Sequence, residues 1–358
     1  MTFMHLVKER ISELKSIKKK SFFSISSTAK IENEAYLTPV RICGDFILSG
    51  SVVFDKKDLL NLIEQIDGKV DFILADSERK NLYRIGKLGM NDSVIKGFPD
   101  DETISSICFK NFKKTKVVEF KPNDLTVNAT WSFLSQRLRS LSGKRISILG
   151  AGNIGSKLAL MLVECGAKIH FYRRDAYKGN KIIHGLNLIK PEGIANIQLH
   201  SDPMKASFMS DVLIGTTSGY SIIDEHVINN VKKNCLVVDL GKNNLTKNAI
   251  KIATKNSMEI YRTDVTPAIQ SYVYEVLKTQ DIIENSYGKK NLGFCNIVSG
   301  GFFGRSGDIV VDRINNPKRV IGVAKGDGVL KMKLNKNDKN NITKILNKFN
   351  LMQKEYHG

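Results

Sequence analysis

The chain has 358 residues, 42% of them hydrophobic, and carries 55 Lys and Arg against 36 Asp and Glu, a formal charge of +19. That length exceeds one typical domain and the apolar content can fill two cores, while no run approaches the ~20 apolar residues of a membrane span. Five scattered cysteines, odd in number and without metal-ligand spacing, read as buried free thiols in a reducing compartment. The six histidines show no paired spacing, so no metal is expected.

The positive charge is mostly lysine spread along the chain, densest at Lys8–Lys20 and Lys331–Lys354. Nucleic-acid modules gather their cations on one face with aromatic platforms or a motif. Neither is evident, so solvated helix faces are the plain reading and no nucleic acid is expected as partner. A basic cleft that draws in anions is the other reading, because net field raises local anion concentration.

In chain order, the first twenty residues alternate charged and apolar residues at helical spacing. They lack the apolar block of a signal peptide, so a cytoplasmic place is expected. Ala35–Ser51 reads as two short strands around Gly44-Asp45, Lys57–Ile66 as an amphipathic helix and Val70–Ala75 as a buried strand. Val117–Phe120 is a further strand. Lys121-Pro122-Asn123-Asp124 then breaks the chain before a helix over Val127–Leu141, read as a connection between two lobes. Asp124, Asn128 and Thr130 stand at this joint: Asp124 and Thr130 as candidates for catalysis, Asn128 for substrate. Helix capping for Asp124 and packing for the others are the structural alternatives.

The most informative stretch follows: KRISILGAGNIGSKLALMLVECGAKIHFYRRD, Lys144–Asp175. It reads as strand (Arg145–Leu149), glycine turn, helix (Ile154–Cys165) and second strand (Lys168–Tyr172). Gly150, Gly152 and Gly155 fall in the spacing G-x-G-x-x-G. The first serves the tight turn, the second close approach of backbone to a pyrophosphate, the third close helix–strand packing. A diphosphate would sit on Gly150, Ala151, Gly152, Asn153, Ile154 and Gly155, at the positive end of the helix. The alternation Ile169, Phe171 puts Arg173 and then Arg174 where an NAD site usually carries a carboxylate. A guanidinium fork can take a 2′-phosphate and stack on adenine, which favours NADP; Asp175 is the dissenting residue.

Short strands at Ile197–Leu199, Val212–Gly215, Cys235–Leu240 and Met258–Tyr261 alternate with helical segments, one of them capped by Thr246. Such alternation implies right-handed crossovers, a parallel sheet and ligands outside the strand carboxyl ends. Thr216, Thr217, Ser218 and Gly219, with the loop Gly241–Asn244, are expected to flank a nicotinamide. Lys242 is the first candidate for a cleft cation or proton donor, with an exposed loop lysine as the alternative.

These residues resemble the Rossmann half of the bilobal enzymes related to shikimate dehydrogenase, methylenetetrahydrofolate dehydrogenase and glutamyl-tRNA reductase. The resemblance covers roughly residues 126–262, beginning with Gly143-Lys144 ahead of the first strand. The shikimate dehydrogenase group reads NADP with an Asn-Arg-Thr triplet; Arg173-Arg174-Asp175 stands there, matching only the middle arginine, Arg174. Its D-x-x-Y-N-P-x-x-T segment is echoed by Asp239 to Thr246, which lacks the Tyr and Pro. Its Asn-Thr-Asp motif corresponds to Asn128-Ala129-Thr130, so the Asn is kept and the acid is missing. The resemblance implies the cofactor and leaves the substrate open.

The C-terminal segment is glycine-rich, with strands expected at Asn296–Val298, Ile309–Val311 and Val320–Ala324. A tight turn at Gly326-Asp327-Gly328 and a terminal helix over Asn341–Tyr356 follow. The loop Ser299–Asp308 carries Arg305 and Asp308 among glycines, a setting suited to a carboxylate or phosphate. An exposed arginine on a hairpin is weighted equally. The expected architecture is α/β with two lobes: a doubly wound parallel (Rossmann) sheet and a smaller N-terminal α/β lobe, to which the Gly-rich segment returns. Residues 1–125 form the substrate lobe, 126–285 the NADP-binding domain and 286–358 the Gly-rich segment with its terminal helix. The expected function is NADP-dependent hydride transfer to or from a small anionic carbonyl or imine, and a homodimer is compatible with the chain. The rival readings are a non-turnover NADP(H) sensor and a nucleic-acid-associated protein.

Overall fold

The computed structural model describes residues 2–27, 34–78, 102–217, 220–241 and 243–351. Lys242, Ser218 and Gly219, and the part of the expected terminal helix beyond residue 351, lie outside the described residues. The chain forms two compact units, Met1–Gln270 and Ser271–Gly358.

The first unit opens with α1 (Phe3–Ser16), whose buried Val7, Ile11 and Leu14 recur at helical spacing. Strands β1 (Lys20–Ser26), β2 (Tyr36–Cys43) and β3 (Phe46–Val52) follow, then α2 (Lys56–Ile66), β4 (Phe72–Asp76), α3 (Ile104–Asn111) and β5 (Lys116–Phe120). They pair in the order β2-β3-β1-β4-β5, with β2 antiparallel to β3 and every other pair parallel. Phe23, Ile25, Ile47 and Ile73 turn one sheet face onto Ile11, Leu59, Leu62 and Ile107 of the three helices. Each such buried side chain contributes roughly 1.5–3 kcal/mol. The central strand β1 is not expected from the sequence, because its SFFSIS run follows the lysines 18–20 directly, with no Gly or Pro to mark its start.

Helix α4 (Pro122–Leu138) begins five residues before the expected start. Pro122 opens it rather than breaking the chain ahead of it, since proline at the first helical position loses no hydrogen bond and has φ preset. The second sheet then unfolds in order: β6 (Arg145–Leu149), α5 (Asn153–Glu164), β7 (Lys168–Tyr172), α6 (Ala176–Ile189), β8 (Gln198–His200), α7 (Pro203–Ser207), β9 (Val212–Gly215), α8 (Glu225–Asn229), β10 (Leu236–Asp239), α9 (Lys247–Lys255) and β11 (Glu259–Arg262). All six strands are parallel, in the order β11-β10-β9-β6-β7-β8. The chain runs outward from β6 to β8, then returns to β9 on β6's other side. That reversal puts the topological switch point at the carboxyl ends of β6 and β9, where open α/β sheets bind ligands.

The strands are apolar on both faces. Ile146, Ile148, Ile169 and Phe171 pack with Leu158 and Leu162 of α5 on one side. Leu149, Leu213 and Val237 pack with Val227 of α8 and Ala249 of α9 on the other. Thr246 caps α9 as expected, accepting from the Ala249 amide.

Helix α10 (Thr266–Asn285) runs from the end of the first unit into the second. The second unit holds β12 (Gly288–Asn291), β13 (Asn296–Ser299), β14 (Ile309–Val311), β15 (Val320–Val323) and α11 (Lys336–Lys348), with sheet order β12-β13-β14-β15. Ile297, Ile309, Val311 and Val323 pack on Ile342, Ile345 and Leu346 of α11. Asn335 and Asp338 close a capping box at the start of that helix. Among the described residues no helix is long and apolar enough to cross a membrane.

Candidate functional site

The site is built around the turn from β6 into α5. Gly150 has φ +125, a conformation side chains rarely adopt, and a Cβ there would lie 2.7 Å from Thr216 Oγ1. Gly155 admits no Cβ either, because one would fall 2.2 Å from the Gly150 carbonyl oxygen. Gly152 differs from both. It precedes α5 with φ −93 and ψ −166, ordinary extended backbone, and a Cβ would meet nothing within 4 Å. No side chain caps α5, so Gly152, Asn153 and Ile154 start a helix whose first amides have no side-chain acceptor. The space over Gly152 and the positive end of the helix dipole fit a diphosphate.

Thr216 and Thr217 form the opposite rim. The Thr216 amide donates to Leu149 O at 2.9 Å and its hydroxyl to Gly150 O, tying the end of β9 to the glycine turn. Thr217 N–H donates to Asn244 Oδ1 at 2.8 Å, and Asn244 Nδ2 donates to Asp239 Oδ1 at 2.6 Å. Gly241 lies against this pair, since a Cβ there would be 2.0 Å from Thr217 O. Thus the turn Gly150–Gly155, Thr216, Thr217 and Gly241 come together at the carboxyl ends of β6, β9 and β10.

At the end of β7 the two arginines differ. Arg173 is half-buried, and its Nη1 donates to the Ala151 carbonyl, bracing the glycine turn. Arg174 is exposed, its guanidinium 5.8 Å from the centre of the Tyr220 ring. Asp175 caps α6: it accepts from the Lys178 amide at 3.0 Å and its carboxylate lies 3.9 Å from Lys178 Nζ. Tyr220 and the buried Asp239 join Thr217 and Asn244 without having been expected there, while Asn244 lies in the loop expected to flank the nicotinamide. The pairing of Asp239, at the end of an apolar strand, with an Asn five residues on, past Gly241, is the signal the sequence offers for them.

Of the candidates on α4, Asp124 and Thr130 have partners of their own. Asp124 accepts from Lys121 at 2.6 Å and from Lys157 of α5. Burial pushes this carboxyl up, but the two lysines outweigh it and hold it below the usual carboxylate range. It is therefore an ionised anchor between α4 and α5. Thr130 is fully buried, donating to Thr126 O at 2.8 Å with Thr263 Oγ1 at 3.4 Å, while Asn128 is exposed. Arg41 of β2 reaches Thr266 at 3.0 Å, and Thr266 in turn donates to Asp264. These hydrogen bonds, with Arg41 nearby, hold the Asp264 carboxyl low.

In the second unit Arg305 is exposed and Asp308 is buried, at 5% exposure. Asp308 accepts from Arg305 N at 2.9 Å, Asn296 Nδ2 at 3.2 Å and Lys289 Nζ at 3.3 Å, so its carboxylate pins the loop onto β12 and β13. Among the described residues no group of three or more His, Cys, Asp or Glu is placed to hold a metal ion.

Residues 119–281 match the family model of the D-isomer specific 2-hydroxyacid dehydrogenase NAD binding domain. No curated protein matches the sequence. Among solved structures, a dipicolinate synthase chain from Bacillus halodurans is 15% identical, covers 73% of this chain and 97% of its own, with TM-score 0.35. Ornithine carbamoyltransferase from Pyrococcus furiosus is 12% identical over 76% of this chain and 91% of its own, TM-score 0.41. L-tryptophan dehydrogenase from Nostoc punctiforme is 12% identical over 68% and 70%, TM-score 0.38. At such scores the structural likeness says nothing about activity. On the family match the chain is a dehydrogenase, an oxidoreductase with a Rossmann NAD(P)-binding domain.

Proposed function

We propose that this dehydrogenase uses NADP and transfers a hydride to or from a small anionic carbonyl or imine substrate. The observation that carries the cofactor choice is the division of labour after β7. Asp175, the carboxylate that could have taken a ribose hydroxyl, is occupied in capping α6, and Arg174 stands exposed beside Tyr220. A guanidinium there attracts a 2′-phosphate, which a carboxylate would repel.

When bound, the dinucleotide supplies the hydride. The chain's own residues bind and orient. The amides after Gly152 take the diphosphate, Arg174 takes the 2′-phosphate, and Thr216, Thr217 and Gly241 border the nicotinamide side. Asp124, ionised by its two lysines, is a positioning group and not a proton donor. Lys242 remains the proposed proton donor by its place between Gly241 and Asn243, and Arg305 of the Gly-rich loop the proposed substrate anchor. Asn128 is proposed to line the substrate side. The kinship proposed is with the shikimate dehydrogenase group, on Arg174 and the Asp239–Thr246 segment. The test is NADPH oxidation at 340 nm with a panel of keto and imino acids. Turnover with one class and tighter binding of NADPH than NADH are expected; binding without turnover across the panel would favour a sensor.

A further inference from the structure

The loops after β9 and β10 are joined by a buried amide that the parallel fold does not require. Asn244 is 0% exposed and Asp239 5%. Asn244 Oδ1 accepts from Thr217 N–H at 2.8 Å, while its Nδ2 donates to Asp239 Oδ1 at 2.6 Å. The other Asp239 oxygen accepts from Asn243 N–H at 3.1 Å, with Arg262 Nη2 at 3.5 Å. The surroundings make room for this. A Cβ on Gly215 would lie 2.5 Å from Asn244 Cβ, and one on Gly241 2.7 Å from Asn244 Nδ2. Burying an amide and a carboxylate costs free energy unless every polar atom is satisfied, and an apolar pair could fill the same space at little or no loss. What the arrangement contributes is geometry: it fixes where the Thr217 backbone stands.

Thr216 and Thr217 are consecutive, yet they are tied to different strands. Thr216 is bonded to Leu149 and Gly150 at the end of β6, and Thr217 through Asn244 to the end of β10. The rim is thus stretched across the switch point from the end of β9, which flanks β6 on the side opposite β7 and its arginines; Arg174 reaches the same loop through the Tyr220 ring. We infer that Asn244 is a positioning residue for the nicotinamide half of the dinucleotide, holding the Thr216–Thr217 rim through the Asp239–Asn244–Thr217 chain without touching the ligand. The inference rests on the dinucleotide reading proposed above.

The test compares two probes by calorimetry: NADPH, and 2′,5′-ADP, which carries the adenosine end without nicotinamide. Asn244→Ala should weaken NADPH about tenfold, the effect of one lost buried hydrogen bond, and leave 2′,5′-ADP binding as in the parent. The swap Asp239→Asn with Asn244→Asp reverses donor and acceptor while keeping the Thr217, Asn243 and inter-side-chain bonds, and gives up only the long 3.4 Å contact from the residue-244 amide to the residue-239 side chain. It should restore NADPH affinity to the parent value. Equal weakening of both probes by Asn244→Ala, or no weakening of either, overturns the inference. Should Asn244→Ala fail to fold, the swap decides: parent-like affinity for both probes supports the inference, and a folded swap that binds 2′,5′-ADP but has lost NADPH, or a swap that does not fold, overturns it. A parent that binds neither probe would instead sink the dinucleotide reading itself.

Discussion

Arg173 donates through Nη1 to the carbonyl oxygen of Ala151, so the residue that ends β7 braces the turn that ends β6. The neighbouring Arg174 makes no such bond to the turn and lies over the Tyr220 ring. The two arginines should respond differently to removal. Arg174→Ala should weaken NADPH roughly ten- to a hundred-fold and leave NADH unchanged, the range expected for one charge-assisted contact. Arg173→Ala should weaken both cofactors together. Titrations of both variants with both cofactors read this directly; equal affinities for NADPH and NADH in the parent would remove the basis for the choice.

Asp175→Ala separates a cap from a ribose ligand. As the N-cap of α6 it should cost about 0.5–2 kcal/mol of stability, with NADH and NADPH affinities retained. Loss of NADH affinity alone, without a change in denaturation midpoint, would show that the carboxylate reads the ribose.

Gly155 offers a contrast within the glycine turn. Gly155→Ala forces a methyl to within 2.2 Å of the Gly150 oxygen. It should cost about 1–3 kcal/mol by overpacking and shift the denaturation midpoint. An unshifted midpoint would mean that the turn yields more freely than this geometry allows.

Stability should fall on mild acidification because of His170. Arg145 Nη1 donates to His170 Nε2 at 2.7 Å, which makes His170 Nδ1 the donor to His200 Nε2 at 2.8 Å. Burial, then the charges of Arg145 and Lys168 with His200 beside it, push His170 down from 6.5 to about 4. The folded state thus binds its proton more weakly than the unfolded chain. Stability is full above about pH 6.5 and is lost as pH falls toward about 4. His170→Gln keeps an acceptor and a donor without titrating, so it should flatten the slope of stability over that window; an unchanged slope would contradict the assignment.

In the Gly-rich loop the exposed and buried members should part. Asp308→Ala leaves Lys289 and Asn296 without their acceptor and should lower stability by about 1–3 kcal/mol. Arg305→Ala should leave the melting temperature and NADPH affinity nearly unchanged while removing substrate-dependent turnover. A variant as active as the parent would make Arg305 an ordinary surface residue.

The dinucleotide half is legible in the sequence because its signals are local. Apolar strands such as Arg145–Leu149 end in glycines, and Gly150, Gly152 and Gly155 declare their roles by spacing. What escapes is carried by partners far apart in sequence. Asn244 matters through Thr217, 27 positions away, and Asp124 becomes an anchor only because Lys157 of α5 faces it. Asp175 can be read against the strand before it, although its place ahead of α6 marks a helix cap equally well. The central strand β1 carries serines among its apolar residues and no punctuation, so no periodicity announces it.

The most direct test of the account is a calorimetric titration of NADPH into the parent and Gly152→Val. Gly152 has extended backbone and open space over its Cα, so valine should leave the melting temperature unchanged while occupying the space a diphosphate needs. The account predicts saturable binding by the parent and none by the folded variant. A folded Gly152→Val that binds NADPH as tightly as the parent would contradict it and place the cofactor elsewhere.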